Sequence, residues 1–171
     1  MDNSEKNVCI VGASGLLGSN VLKEALAKGY KVNGTVRDVN APDKATFLNA
    51  LPNADQNLRL FESEMADTES FDNALSNVDC VFITCLIPVY KGPTGKPARE
   101  MDDEQGYEEI IMPTVNGCLN ILKSTARQGV KNVVICSSTS STNPVPPVPI
   151  KNEVDHWSDE NEQCRAKKYT S

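Results

Sequence analysis

A strand that runs into three glycines at intervals of three, and then into a helix, leaves few folds open. Residues 7–12, NVCIVG, form a nearly continuous apolar run that ends in glycine, the pattern of a strand buried on both faces. Gly12, Gly15 and Gly18 follow in GASGLLG, and from Ser19 to Lys28 apolar Val21, Leu22, Ala25 and Leu26 recur at helical spacing before Gly29 stops the pattern. A glycine-lined turn between strand and helix is a place for a pyrophosphate, held by backbone N–H groups and the positive end of the helix. On this reading Gly12 makes the tight turn, Gly15 lets the backbone approach the phosphates and Gly18 lets the helix pack closely on the sheet. Ser14 adds a hydroxyl donor, and Leu16 and Leu17 complete the turn's contribution to the site.

The rest of the chain repeats the alternation. YKVNGTVRD reads as a second strand, residues 41–51 as a helix, NLRLFESEM as a third strand, ESFDNALSN as a short amphipathic helix and VDCVFITCLI as a fourth strand. Residues 88–107, rich in proline, glycine and mixed charge, are expected to form an exposed loop, followed by a helix over about 108–128. VKNVVICSS is the fifth strand, and four prolines in STNPVPPVPIKNE end regular structure beyond it. The tail from Val154 carries only weak helical character. Strands joined by right-handed helical crossovers give a Rossmann-type α/β fold, a doubly wound parallel sheet of about five strands in one dinucleotide-binding domain spanning residues 1–171. Ligands bind such sheets at the carboxyl ends of the strands, here at Gly12, Arg37, Glu64, Cys85 and Ser138.

Composition removes several alternatives. A net charge of −6 with dispersed lysines and arginines argues against a nucleic-acid or membrane-surface partner. The polar start MDNSEKN lacks the features of a signal peptide, and no apolar run approaches the roughly 18 residues of a membrane span, so a cytoplasmic location is expected. The six cysteines contain no C-x-x-C pair and His156 is the single histidine, so no metal site is expected and most of the thiols are read as small hydrophobes in buried strands or helices.

The end of the second strand selects the nucleotide. An acidic residue there bonds the ribose of NAD, whereas arginine meets the additional phosphate of NADP. Arg37 holds that place, with Asp38 beside it and Lys44 available to help, which favours NADP.

VGASGLLG, GTVRD, PTVNG at Pro113–Gly117, VVICSS and WSD with CRAKK together resemble the extended short-chain dehydrogenase/reductase superfamily, most closely its dihydroflavonol reductase and cinnamoyl-CoA reductase branch. The resemblance implies an NADPH-dependent carbonyl reductase, with a small carbonyl compound as substrate. It further implies that Ser138 holds the carbonyl oxygen, that Glu64 and Met65 stand at the adenine where the family has aspartate and an aliphatic residue, and that Thr84 and Cys85 border the cofactor at the end of the fourth strand.

In that family a tyrosine protonates the carbonyl oxygen, assisted by a lysine four residues later. Four residues after Tyr30, Tyr90 and Tyr107 stand Gly34, Thr94 and Ile111, and Tyr169 lies beside the last residue, Ser171. No Y-x-x-x-K is present, and the chain reads as the N-terminal, cofactor-binding portion of a longer reductase. Two other readings use the same parts: a non-catalytic NADP-sensing module, and a nucleotide-sugar epimerase or dehydratase, against which Arg37 speaks because those enzymes usually hold NAD.

Overall fold

The structure, a computed structural model, describes residues 6–85, 91–93, 95–144, 146–152 and 154–165. The chain divides into two compact units, Met1–Cys85 with Cys118–Cys136, and Leu86–Gly117 with Ser137–Ser171.

The first unit holds a five-stranded, wholly parallel sheet. Its strands are β1 (Asn7–Val11), β2 (Lys31–Val36), β3 (Leu58–Glu62), β4 (Cys80–Ile83) and β5 (Asn132–Ile135), in the order β3-β2-β1-β4-β5. Val8 to Val11 are buried, which accounts for the unbroken apolar run in β1: this central strand has no solvent face. Strand order reverses between β1 and β4, so the crevice at their carboxyl ends is the topological switch point.

Helix α1 (Leu16–Ala27) packs Leu22, Ala25 and Leu26 into the core with Val8, Ile10 and Val32. It closes where the sequence places the stop, Gly29 taking a φ of +78° while Tyr30 N–H donates to the Ala25 carbonyl. Helix α2 (Pro42–Asn49) follows β2, and the one-turn helices α3 (Ala54–Asn57) and α4 (Asp72–Leu75) flank β3.

The segment expected to be a loop over 88–107 is helical in its second half. Asp102 accepts the Gln105 N–H at 2.8 Å and caps α5 (Asp103–Gly106), while residues 88–90 and 94 lie outside the described residues. The next helix therefore starts before residue 108. A π-helical stretch, Tyr107–Ile111, runs into α6 (Met112–Arg127). Pro113 lies at the start of α6 and has no N–H for the Glu109 carbonyl four residues back, a physical reason for the wider turn here. The tail also differs from its reading as weak structure: α7 (Glu160–Arg165) forms in the second unit.

β5 departs from the buried pattern as well. Among the described residues it is an edge strand paired with β4, and Val134 is 49% exposed.

Within the first unit, α4 is tied to α6 by charge. Arg127 donates to both carboxylate oxygens of Asp72, at 2.7 and 3.2 Å, and Ser124 donates to the same carboxylate. The Arg127 and Ser124 hydrogen bonds hold the Asp72 carboxyl below its ordinary range. A carboxylate with a depressed folded value stabilises above its unfolded value of about 4, and that contribution is lost as pH falls through the folded value. The melting temperature of the wild-type chain is therefore expected to fall more steeply on acidification below about pH 4 than that of Asp72→Asn. Parallel slopes for the two proteins would contradict this role.

Candidate functional site

The glycine turn is held on two sides by threonines. Thr35 of β2, 3% exposed, accepts the Gly12 N–H on its hydroxyl at 3.2 Å and the Ala13 N–H on its carbonyl at 2.9 Å. Thr84, just beyond β4, donates its own N–H at 3.1 Å and its hydroxyl at 2.7 Å to the Val11 carbonyl. Gly15 N–H closes the turn onto the Gly12 carbonyl at 3.0 Å.

The three glycines then separate by what a side chain would meet. Gly12 has a φ of +82°, and a Cβ there would stand 2.6 Å from Cys85 Cβ. At Gly18 a Cβ would stand 2.1 Å from the Gly12 carbonyl oxygen, so this glycine permits the contact of α1 with the turn. At Gly15 the nearest protein atom is that same oxygen at 3.3 Å, and the backbone is extended, with φ −77° and ψ 166°. Gly12 and Gly18 are needed by the fold, whereas at Gly15 a Cβ would make one tight contact, with the Gly12 carbonyl oxygen, in front of a helix end.

That helix end suits an anion. Gly15 is the N-cap of α1 and has no side chain to cap with, and no acidic residue occupies the first turn. The N–H groups of Leu16, Leu17 and Gly18 are first-turn donors without an intrahelical acceptor. Leu16 is 87% exposed, Leu17 is also exposed and Ser14 is half-buried beside them.

Arg37 follows β2 directly and is exposed, with no hydrogen-bond or ion-pair partner among the described residues. Asp38, its neighbour in sequence, accepts the Asn40 N–H at 2.8 Å and is turned into the bend that follows. Lys44 is exposed in the first turn of α2. Two cations, Arg37 and Lys44, thus stand beyond β2 beside two carboxylates, Asp38 and Asp43, of which Asp38 is engaged by its own bend.

At the end of β3, Glu64 is exposed and Met65 buried, and the Glu64 carboxylate accepts the N–H of Met65 at 2.9 Å. Asn120 of α6 donates to the Met65 carbonyl at 2.9 Å and fixes this segment. Cys85 lies against both Gly12 and Met65, its sulfur 4.0 Å from the Met65 sulfur. Burial pushes the Cys85 thiol up, with the Arg37 charge pulling the other way, so at neutral pH it is an uncharged, apolar wall of the site. None of the six cysteines forms a disulfide, and among the described residues no cluster of ligands suits a metal ion.

Gly12, Ser14, Gly15, Leu16, Leu17, Gly18, Arg37, Lys44, Glu64, Met65, Thr84 and Cys85 all belong to the first unit. Ser138 belongs to the second, where it is exposed and its carbonyl accepts the Ser141 N–H and hydroxyl, at 3.0 and 2.6 Å. His156 accepts the Asn152 N–H on Nδ1, a local turn contact. The second unit also contains an open cavity of about 400 Å³ whose lining includes Asp103, Glu104, Glu108 and Glu160. Four carboxylates make it the wrong sign for a nucleotide phosphate. Tyr90 and Tyr169 lie outside the described residues.

Thr35 escaped the reading of the sequence, because a threonine inside a strand is also what β-propensity alone would place there. The usable signal was its position at the carboxyl end of β2, two residues before Arg37.

The family model described as NAD(P)H-binding matches residues 12–170. Tetraketide alpha-pyrone reductase 1 of Arabidopsis thaliana is 39% identical over 142 residues, covering 82% of this chain and 40% of that protein. A bifunctional dihydroflavonol 4-reductase/flavanone 4-reductase of Malus domestica is 32% identical over 171 residues, covering 99% of this chain and 46% of that protein. The chain thus spans about half the length of the curated relatives it matches. Vestitone reductase from alfalfa superimposes with a TM-score of 0.66 at 24% identity, over 97% of this chain and 49% of that one, a likeness of fold. No helix among the described residues is long and apolar enough to cross a membrane.

Proposed function

Because the chain belongs to the NAD(P)H-binding family, we propose that it is the cofactor-binding half of an NADPH-dependent carbonyl reductase. The first-turn amides of α1, with the Ser14 hydroxyl, hold the pyrophosphate. Arg37 and Lys44 take the 2′-phosphate, Glu64 and Met65 meet the adenine, and Thr84 and Cys85 border the cofactor at β4. The Glu64 carboxylate is engaged by the Met65 N–H, so it exchanges that bond when it turns to a base. When bound, the nicotinamide supplies a hydride to a carbonyl carbon. In the longer protein Ser138 orients the carbonyl oxygen, and a downstream tyrosine and lysine deliver the proton. Six thiols without a disulfide suit the reducing cytosol, where we place the protein.

One observation carries the choice of NADPH: among the described residues Arg37 has no hydrogen-bond or ion-pair partner, while Asp38 is turned into its own bend. A free guanidinium offers charge-assisted bonds to a phosphate that NADH lacks. Arg37→Ala is expected to weaken NADPH about tenfold to 100-fold in a fluorescence titration, leaving NADH nearly unchanged. Equal losses for both cofactors, or no initial preference, would remove the basis for this choice.

A further inference from the structure

We infer that Thr35 is a positioning residue for the cofactor, one that sets the glycine turn in register with Arg37; the inference rests on the dinucleotide-binding reading. Three N–H groups of the turn are taken up inside the protein: Gly12 and Ala13 by Thr35, and Gly15 by the Gly12 carbonyl. They are therefore not the donors that meet a pyrophosphate. Those donors are the first-turn amides of α1, and their position depends on how the turn is anchored.

The anchor is two-sided but unequal. On the β4 side, Thr84 gives the Val11 carbonyl two donors, of which the backbone N–H would survive loss of the hydroxyl. On the β2 side, the Gly12 N–H has the Thr35 hydroxyl as its acceptor. Thr35 is buried and Gly12 half-buried, so removal of that hydroxyl takes the protein acceptor away from a peptide donor at the tightest point of the turn. The turn then relieves itself by rotating, and α1's first-turn amides move with it. Thr35 also fixes distance: it stands one residue before the end of β2 at Val36, which Arg37 follows, so one residue ties the pyrophosphate cradle to the phosphate-binding guanidinium. Small displacements of such donors cost affinity because hydrogen bonds to an anion are steep in distance and angle.

The experiment compares Thr35→Val, which keeps the shape and loses the hydroxyl, with Thr35→Ser, which keeps the hydroxyl. NADPH and NADH are titrated into each, alongside melting temperatures. Thr35→Val is expected to weaken both cofactors by a similar factor of about ten, because the pyrophosphate is common to them. Thr35→Ser should bind within about threefold of wild type. That common loss separates Thr35 from Arg37, whose loss falls on NADPH. Unchanged affinity in a folded Thr35→Val, or a loss that Thr35→Ser fails to restore, overturns the assignment. A measurement on the wild-type chain stands even if Thr35→Val does not fold: the Gly12 amide should be protected from hydrogen exchange before NADPH is added, and the Leu16 and Leu17 amides only afterwards. Protection of Gly12 that appears only with cofactor also overturns it. Wild-type chain that binds neither cofactor refutes the dinucleotide reading itself, a result distinct from either failure of Thr35.

Discussion

Gly15→Val is expected to lower NADPH affinity about 100-fold or more, a loss of at least ~2.7 kcal/mol, while circular dichroism stays close to wild type and the melting temperature falls modestly, valine being a poorer N-cap than glycine. The reason lies in what surrounds this glycine. Its backbone is extended, a region that valine favours, and a Cβ there meets one protein atom, the Gly12 carbonyl oxygen at 3.3 Å. The side chain therefore projects into the space in front of α1, where the pyrophosphate is proposed to lie. Valine at Gly12 or Gly18 could not separate binding from folding. At Gly12 it would be strained by a positive φ and would strike Cys85; at Gly18 it would strike the turn's own carbonyl at 2.1 Å. Wild-type affinity in a folded Gly15→Val protein would mean that the glycines serve the turn and nothing else.

The second large effect concerns turnover. The 171-residue chain is expected to reduce no carbonyl compound with NADPH, and a longer form carrying a downstream Y-x-x-x-K is expected to do so. Ser138 is proposed to orient a carbonyl oxygen, but the developing alkoxide also needs a positioned acid, and general acid catalysis contributes typically about 10² to 10⁴ in rate. The deficit should exceed that factor, since a lysine that holds the ribose also helps to place the nicotinamide. In the longer form, Ser138→Ala should lower kcat about 100-fold with little change in NADPH affinity, because the residues proposed to hold the cofactor are in the other unit. Turnover by the purified 171-residue chain would show that the chemistry has been assigned to the wrong residues.

Much of the first unit was legible because its signals are local and agree with one another. An apolar run, a glycine turn and a helical stripe each specify one element, and together they fix β1, the turn and α1 to within a few residues. The roles of Gly12 and Gly18 followed from the same spacing, and the structure supplies a contact for each. What could not be read depended on partners distant in sequence. The exposure of β5 was not readable, since the apolar content of VVI reports potential burial and not whether a neighbour lies on both sides. The helix at Asp103 was hidden by the proline and glycine before it, although Asp102 and Gln105 were a readable cap. That Asp38 turns toward Asn40, leaving Arg37 free, is a matter of side-chain direction that RD in a sequence cannot express. The anchoring of Gly12 by Thr35 joins residues 23 apart in the chain, and only the register of β1 on β2 brings them together.

The central claim, that the glycine turn and the end of β2 form an NADPH site, is tested most directly by following backbone amide resonances of the 171-residue chain during titration with NADPH. The predicted result is saturable binding with the largest shifts at Ser14 to Gly18 and at Arg37, and a weaker response to NADH that spares Arg37. Saturable binding whose shifts fall elsewhere and spare residues 14–18, or no binding at all, would contradict it.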